Sequence, residues 1–354
     1  MTKPILAAIL SCSGTSLTKE EQTLFAEANP LGITLFARNI KNVAQVKKLV
    51  EDIKNVINRD DVLIAVDQEG GRVARLAGLT KQKFVAAENL GKAAVKYCAM
   101  HAQLIALEMQ KLGLNVNFAP IVEAIVANQS PVLTSRCFSG DVNKIIPRAQ
   151  IMADTYIQMG ICPCIKHLPG HFDMKIDPHL QRVVIGASKN AIFEQISYLR
   201  NFCHYPLAMS SHVVLKNIDA KLPVSMSRTC VQLILRELLQ FDGFLISDAI
   251  DMHALNGSIL TRAEKCWEAG LDAICYCSGK IDELTYLCKD GRFLTDNALI
   301  RFDKIKKIIH NKGKIEDISL VRKMYNQRFK RKLDETYVYD ATEVLNKMIE
   351  KGEC

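Results

Sequence analysis

Between Lys166 and His179 the chain gathers three histidines, two aspartates and two lysines into fourteen residues. An apolar run, 161–165, comes directly before them, so the polar group begins where a buried strand would leave the core. Its last three residues, Asp177-Pro178-His179, place a carboxylate two positions ahead of an imidazole. That pairing suits general acid/base chemistry, because a carboxylate can fix the imidazole tautomer and raise its basicity. The same residues would also suit a polar surface loop whose histidines merely titrate. What surrounds them has to decide.

The elements that would position these groups follow a repeating rhythm. Apolar strand candidates fall at 5–10, 33–36, 62–66, 114–118, 162–165, 207–209, 244–246 and 273–277, eight in all. Gly113, Gly160 and Gly270 each stand between a helical pattern and the next strand, where glycine adopts a left-handed helix cap without steric cost. Residues 42–58 read as a helix, with Asn42 as N-cap and Val43, Val46, Leu49, Val50, Ile53 and Ile57 on one apolar stripe. Strands without strict polar alternation suit a parallel sheet covered on both faces. The expected fold is therefore α/β, a single (β/α)8 TIM-type barrel over 1–285 with a helical C-terminal extension over 286–354. A doubly wound sheet is the alternative, but no Gly-x-Gly-x-x-Gly turn follows any strand.

Barrels of this kind keep their reactive groups just past the strand C-termini. Arg38-Asn39, Asp67 to Arg72, Lys166-His167, Ser210-Ser211-His212 and Ser247-Asp248 all occupy such positions. Residue types that do chemistry thus collect at one end of the sheet.

Composition bounds the rest. The 354 residues are 49% apolar with a mean hydropathy of +0.05, enough for a real core and against disorder. No apolar run approaches the ~18 residues of a membrane span. The start of the chain faintly resembles a lipoprotein leader, but an apolar run of six residues behind one lysine is short for that and reads as a first strand. Twelve cysteines in a chain this long are not a disulfide framework, and the pairs Cys162/Cys164 and Cys275/Cys277 suit one face of a strand. Reduced, cytoplasmic surroundings are expected. Of the net charge of +8, the tract 300–333 holds twelve Lys/Arg against three Asp/Glu, which reads as a solvated helical face rather than a nucleic-acid site.

Several longer motifs run in order along the chain: 35–40 (Leu-Phe-Ala-Arg-Asn-Ile), 66–76 (opening Val66-Asp67-Gln68-Glu69-Gly70-Gly71-Arg72), Asn117-Phe118-Ala119-Pro120, Arg136-Cys137-Phe138, 166–171, 177–179 and 245–252. Together they resemble glycoside hydrolase family 3, and within it the single-domain bacterial β-N-acetylglucosaminidases of cell-wall recycling. The resemblance implies that Asp248 is the nucleophile, that His179 is the acid/base, and that Asp177 orients His179. It implies that Asp67, Arg75, Arg136, Lys166 and His167 hold the sugar. The implied activity is retaining exo-hydrolysis of terminal β-linked N-acetylglucosamine, on an amino-sugar oligosaccharide or muropeptide, by a monomer with no metal, cofactor, membrane or nucleic-acid partner. Other sugar specificity, phosphorolysis or a non-catalytic sugar-binding role are the alternatives. A histidine acid/base does not repel an anionic acceptor, as a glutamate would. The departures from the family pattern include Cys137 beside Arg136, Ala249 after Asp248, the segment 80–89, and Phe172 and Pro178 in the acid/base loop, the last of which fixes its own φ between the dyad partners. Asp251 is expected to cap the following helix or meet its dipole, and His171 and Asp173 divide between loop hydrogen bonding and catalytic support.

Overall fold

Apolar strands and helices alternate along the chain, and the computed structural model, which describes residues 3–126, 131–171, 183–311, 313–315 and 317–335, joins nine strand segments into one parallel sheet. In spatial order the segments are Cys162–Pro163, Val116–Asn117, Leu63–Val66, Pro30–Leu35, Leu6–Leu10, Ala273–Cys275, Phe244–Ala249, Leu207–Ser210 and Ile165–Leu168. The two end segments are separated in sequence by Cys164 alone. The sheet therefore comes round on itself into a nearly closed, barrel-like wall.

Alternation is present on Leu6–Leu10, Leu63–Val66 and Phe244–Ala249 even though both faces are apolar. Ala7, Ile9, Leu63, Ala65, Cys162, Cys164, Phe244 and Ile246 belong to an inner cluster, while Leu6, Ala8, Leu10, Ile64, Val66 and Leu245 pack outward into the helical layer. Both thiols of the Cys162/Cys164 pair face inward, as the two-residue spacing requires.

Local rules account for the connecting helices. In Val43–Ile57, the Asn42 side chain accepts from the Gln45 N–H, and Val46, Leu49, Val50, Ile53 and Ile57 are buried. Gly113 and Gly270 cap helices at φ 78° and 101°. The strand expected at 33–36 runs instead over Pro30–Leu35. Pairing with Leu6 brings Pro30 into the ladder, and the Asn39 side chain takes the Phe36 N–H and ends it.

The C-terminal helices are part of the packing. Asp296–Ile309 inserts Ala298, Phe302 and Ile305 into the inner cluster, with the Phe302 ring 6.3 Å from Phe244, and so covers the end of the sheet where the strands begin. Ile318–Glu335 buries Tyr325, Phe329 and Leu333, spaced one turn apart, in the outer layer. The cations Lys323, Arg328, Lys330, Arg331 and Lys332 lie on its exposed side. Among the described residues no helix is long and apolar enough to cross a membrane.

Candidate active site

The inner face of the sheet changes character at one level. Ala65, Cys164 and Ile246 are the last apolar inward residues of their strands, and two positions on come Asp67, Lys166 and Asp248. A period of two thus carries three charged groups onto the same inward face, past the end of the apolar fill. Side chains hold the adjoining backbone in place. The Asn117 amide accepts from the Gln68 N–H at 3.0 Å and donates to the Gln68 carbonyl at 3.0 Å, pinning the residue that follows Asp67.

Lys166, 2% exposed, lies between two carboxylates, with its Nζ 2.8 Å from Asp67 Oδ1 and 2.7 Å from Glu69 Oε1. Arg136 grips the same Glu69 with two parallel bonds of 2.9 and 2.7 Å. Two anions and two cations alternate across the floor of the cleft, so none of the buried charges stands uncompensated. Burial by itself would raise the Glu69 carboxyl, but Arg136 and Lys166 outweigh it and hold Glu69 well below the usual carboxylate range. Burial would likewise lower the Lys166 ammonium, and Asp67 and Glu69 outweigh that and raise it. The result is a rigid set of donors and acceptors, of the kind that fixes the hydroxyls and amide of a sugar.

Beside this network a third carboxylate, Glu123, is buried between two histidines. Its Oε1 lies 2.6 Å from His167 Nδ1, and its Oε2 accepts the His171 N–H at 2.6 Å and lies 3.0 Å from His171 Nδ1. Burial would raise Glu123, yet His171 and His167 hold it well below the carboxylate range. The two imidazoles respond oppositely. Burial lowers His167 despite Glu123, whereas for His171 burial is outweighed by Glu123 and the group is raised. A neutral His167 that donates from Nδ1 to Glu123 turns its Nε2 toward Asp248, whose Oδ2 is 3.9 Å away. Asp248 accepts the Ala249 N–H at 2.7 Å, and its side chain keeps 17% exposure. His212 fixes the segment that follows, with Nδ1 2.6 Å from Ser225 Oγ and Nε2 3.0 Å from the Ala249 carbonyl.

Of the residues expected to bind the sugar, Asp67, Lys166, Arg136 and His167 converge on this cleft with Asp248. Arg75 stands at its side, over the Phe36 ring at 5.5 Å, where Arg38 also packs at 5.0 Å. Asp177, His179, Phe172, Asp173 and Pro178 lie outside the described residues. Asp251 does not cap a helix: Ser258 caps Ile259–Ala269, and Asp251 accepts the Cys277 N–H at 3.0 Å, because the chain after Asp248 turns back across the neighbouring strand. Glu69 and Glu123 complete the site without having been singled out as site residues. The available signal for Glu123 was a lone carboxylate in the otherwise apolar stretch 118–126. Glu123, His167 and His171 also each offer one ligand atom within 4.8 Å of the others, a donor set that a zinc-like ion accepts. Those atoms already satisfy one another by hydrogen bonding.

The chain is similar to known proteins. The beta-hexosaminidase of Pseudomonas aeruginosa is 32% identical over 284 residues, covering 77% of this chain and 82% of the relative. That of Haemophilus ducreyi is 30% identical over 314 residues, covering 85% and 90%. The solved structure of NagZ from Neisseria gonorrhoeae, in complex with N-trifluoroacetyl-D-glucosamine, shares the fold at a TM-score of 0.80 and 24% identity, over 92% of this chain and 98% of that one. The model of the glycosyl hydrolase family 3 N-terminal domain matches residues 7–308, and the chain belongs to that family.

Proposed function

We propose that the protein is a β-N-acetylhexosaminidase, a retaining exo-hydrolase that removes terminal β-linked N-acetylglucosamine, working in a (β/α)8 barrel over 1–285 followed by a C-terminal extension over 286–354. One observation carries the reading. The Asp248 carboxylate stands on the same inward register as Asp67 and Lys166, 3.9 Å from His167 Nε2, in a chain whose relatives at 30–32% identity are beta-hexosaminidases.

In this mechanism Asp67, Arg75, Arg136, Lys166 and His167 hold the terminal sugar with its anomeric carbon above Asp248. An Asp248 oxygen attacks that carbon, the bond to the leaving oxygen breaks, and His179, held by Asp177, gives that oxygen a proton. The glycosyl ester is then cleaved by water, which returns a proton to His179 and frees Asp248, so two inversions give retention. Peptidoglycan fragments as substrate, a cytoplasmic location and a monomeric state belong to the same proposal. The location draws support from cysteines, all eleven of which are free among the described residues.

The test is turnover of an aryl β-N-acetylglucosaminide with and without phosphate. Asp248→Ala is expected to abolish it, and His179→Ala to lower it by roughly 10²–10⁴-fold. Full turnover by Asp248→Ala would refute the assignment, and a sugar phosphate as the product would move the reaction to phosphorolysis.

A further inference from the structure

The wall behind the sugar-binding carboxylates is closed by a residue from the far end of the chain. Tyr325, on the helix Ile318–Glu335, brings its hydroxyl 2.8 Å from His101 Nδ1 and 3.1 Å from the Val85 N–H. His101 Nε2 lies 3.1 Å from the carbonyl oxygen of Glu69. Only one placement of protons satisfies all four groups. A carbonyl is an acceptor, so His101 carries its proton on Nε2 and presents a lone pair at Nδ1. The Tyr325 O–H must then donate to that lone pair while its oxygen accepts from Val85.

The relay is enclosed. Burial pushes His101 down to about 4, so it stays neutral at working pH. The Phe84 ring lies 5.4 Å from His101, and the Phe329 ring 5.0 Å from Tyr325. Gly70, at φ +99°, leaves no room for a side chain, since an added Cβ would fall 2.8 Å from His101 Cε1. The imidazole edge therefore bears directly on the backbone that carries Glu69. An apolar ring would fill the same space, whereas a buried polar relay is tolerated only when every member is paired.

We propose that Tyr325 and His101 are positioning residues of the sugar site, a relay by which the C-terminal helix sets the Glu69 backbone and, through the Glu69 carboxylate, the places of Arg136 and Lys166. The proposal rests on the sugar-site reading above. It gives the C-terminal helix a task that its basic outer face does not suggest.

Tyr325→Phe removes the hydroxyl and keeps the ring, while Leu333→Ala loosens the same helix two turns away without touching the relay. Both are compared with the intact protein at a temperature well below all unfolding midpoints. The readouts are kcat/KM on an aryl β-N-acetylglucosaminide and the Kd of N-acetylglucosamine by calorimetry. Tyr325→Phe is expected to lower kcat/KM and weaken sugar binding by roughly 5–10-fold, the weight of one buried hydrogen bond. Leu333→Ala is expected to lower the midpoint and leave both within twofold. Unchanged values in Tyr325→Phe, or an equal loss in Leu333→Ala, would overturn the relay. A wild-type protein without turnover would refute the glycosidase reading instead, and the three Kd values would still decide this one.

Discussion

Replacing Glu123 by glutamine tests how the cleft holds its histidines. The carboxylate accepts the His167 N–H at 3.2 Å and the His171 N–H at 2.6 Å, and faces both Nδ1 atoms at 2.6 and 3.0 Å. Glutamine offers one acceptor oxygen and one amide that can only donate. At least one of these donors then meets another donor with no water to replace the lost bond. Charge-assisted hydrogen bonds contribute about 1.5–3 kcal/mol each, so losing one or two predicts a destabilisation of about 1.5–6 kcal/mol. The pH dependence has a definite sign. His171 is raised in the folded state, so its share is fully present below the unfolded histidine pKa and is lost as pH rises through the folded value. Urea midpoints of both proteins between pH 5 and 9 should therefore differ most over about pH 5–6, with the gap narrowing toward alkaline pH. The freed His167 should also cost roughly 100-fold in kcat/KM, the effect of a misplacement of about 1 Å. A gap near zero at pH 6, or one that widens with pH, would refute this account of the network.

Other perturbations act on different terms. Glu69→Gln breaks a buried ion network and should cost about 3–5 kcal/mol near pH 7. Because Glu69 is depressed in the folded state, its contribution is present above the unfolded carboxylate pKa and is lost as pH falls through the folded value, so the gap between variant and wild type should shrink under acid in pH-resolved unfolding. Phe302→Ala opens a cavity at the end of the sheet remote from Asp248 and should cost about 3–5 kcal/mol in denaturant unfolding while leaving kcat of the folded protein unchanged. Gly70→Ala meets the Val85 carbonyl at 2.5 Å at a φ of +99°, and about 1–3 kcal/mol of strain should appear as a lowered midpoint together with a lowered kcat/KM.

Periodicity explains why much of the architecture was legible. The stripe of Val46, Leu49, Val50, Ile53 and Ile57 and the glycine caps at Gly113 and Gly270 are local patterns that the structure keeps, although Val43 at the head of the stripe is exposed and the run at 162–165 divides at Cys164 into two strand segments. Strand ends were less legible. The run expected at 114–118 supplies ladder pairing only over Val116–Asn117, because the Asn115 side chain bonds Ile64 N and Val62 O across the gap, which no propensity encodes. The hairpin of Gln68–Gly70 against Val73–Ala74 was not anticipated either; it depends on positive φ at both Gly70 and Gly71.

The amino-acid order alone settles which groups stand at strand ends. Two-residue alternation carries Asp67, Lys166 and Asp248 inward whatever the rest of the chain does, and the ordered motifs mark the family. Which groups meet there is a long-range matter. Glu123 reaches His167 and His171 across 44 and 48 residues, Arg136 reaches Glu69 across 67, and Tyr325 reaches His101 across 224. Pairings at such separations depend on how the sheet closes and the helices pack. A lone glutamate in an apolar stretch or a histidine inside a helix therefore reveals its partner only in the folded protein.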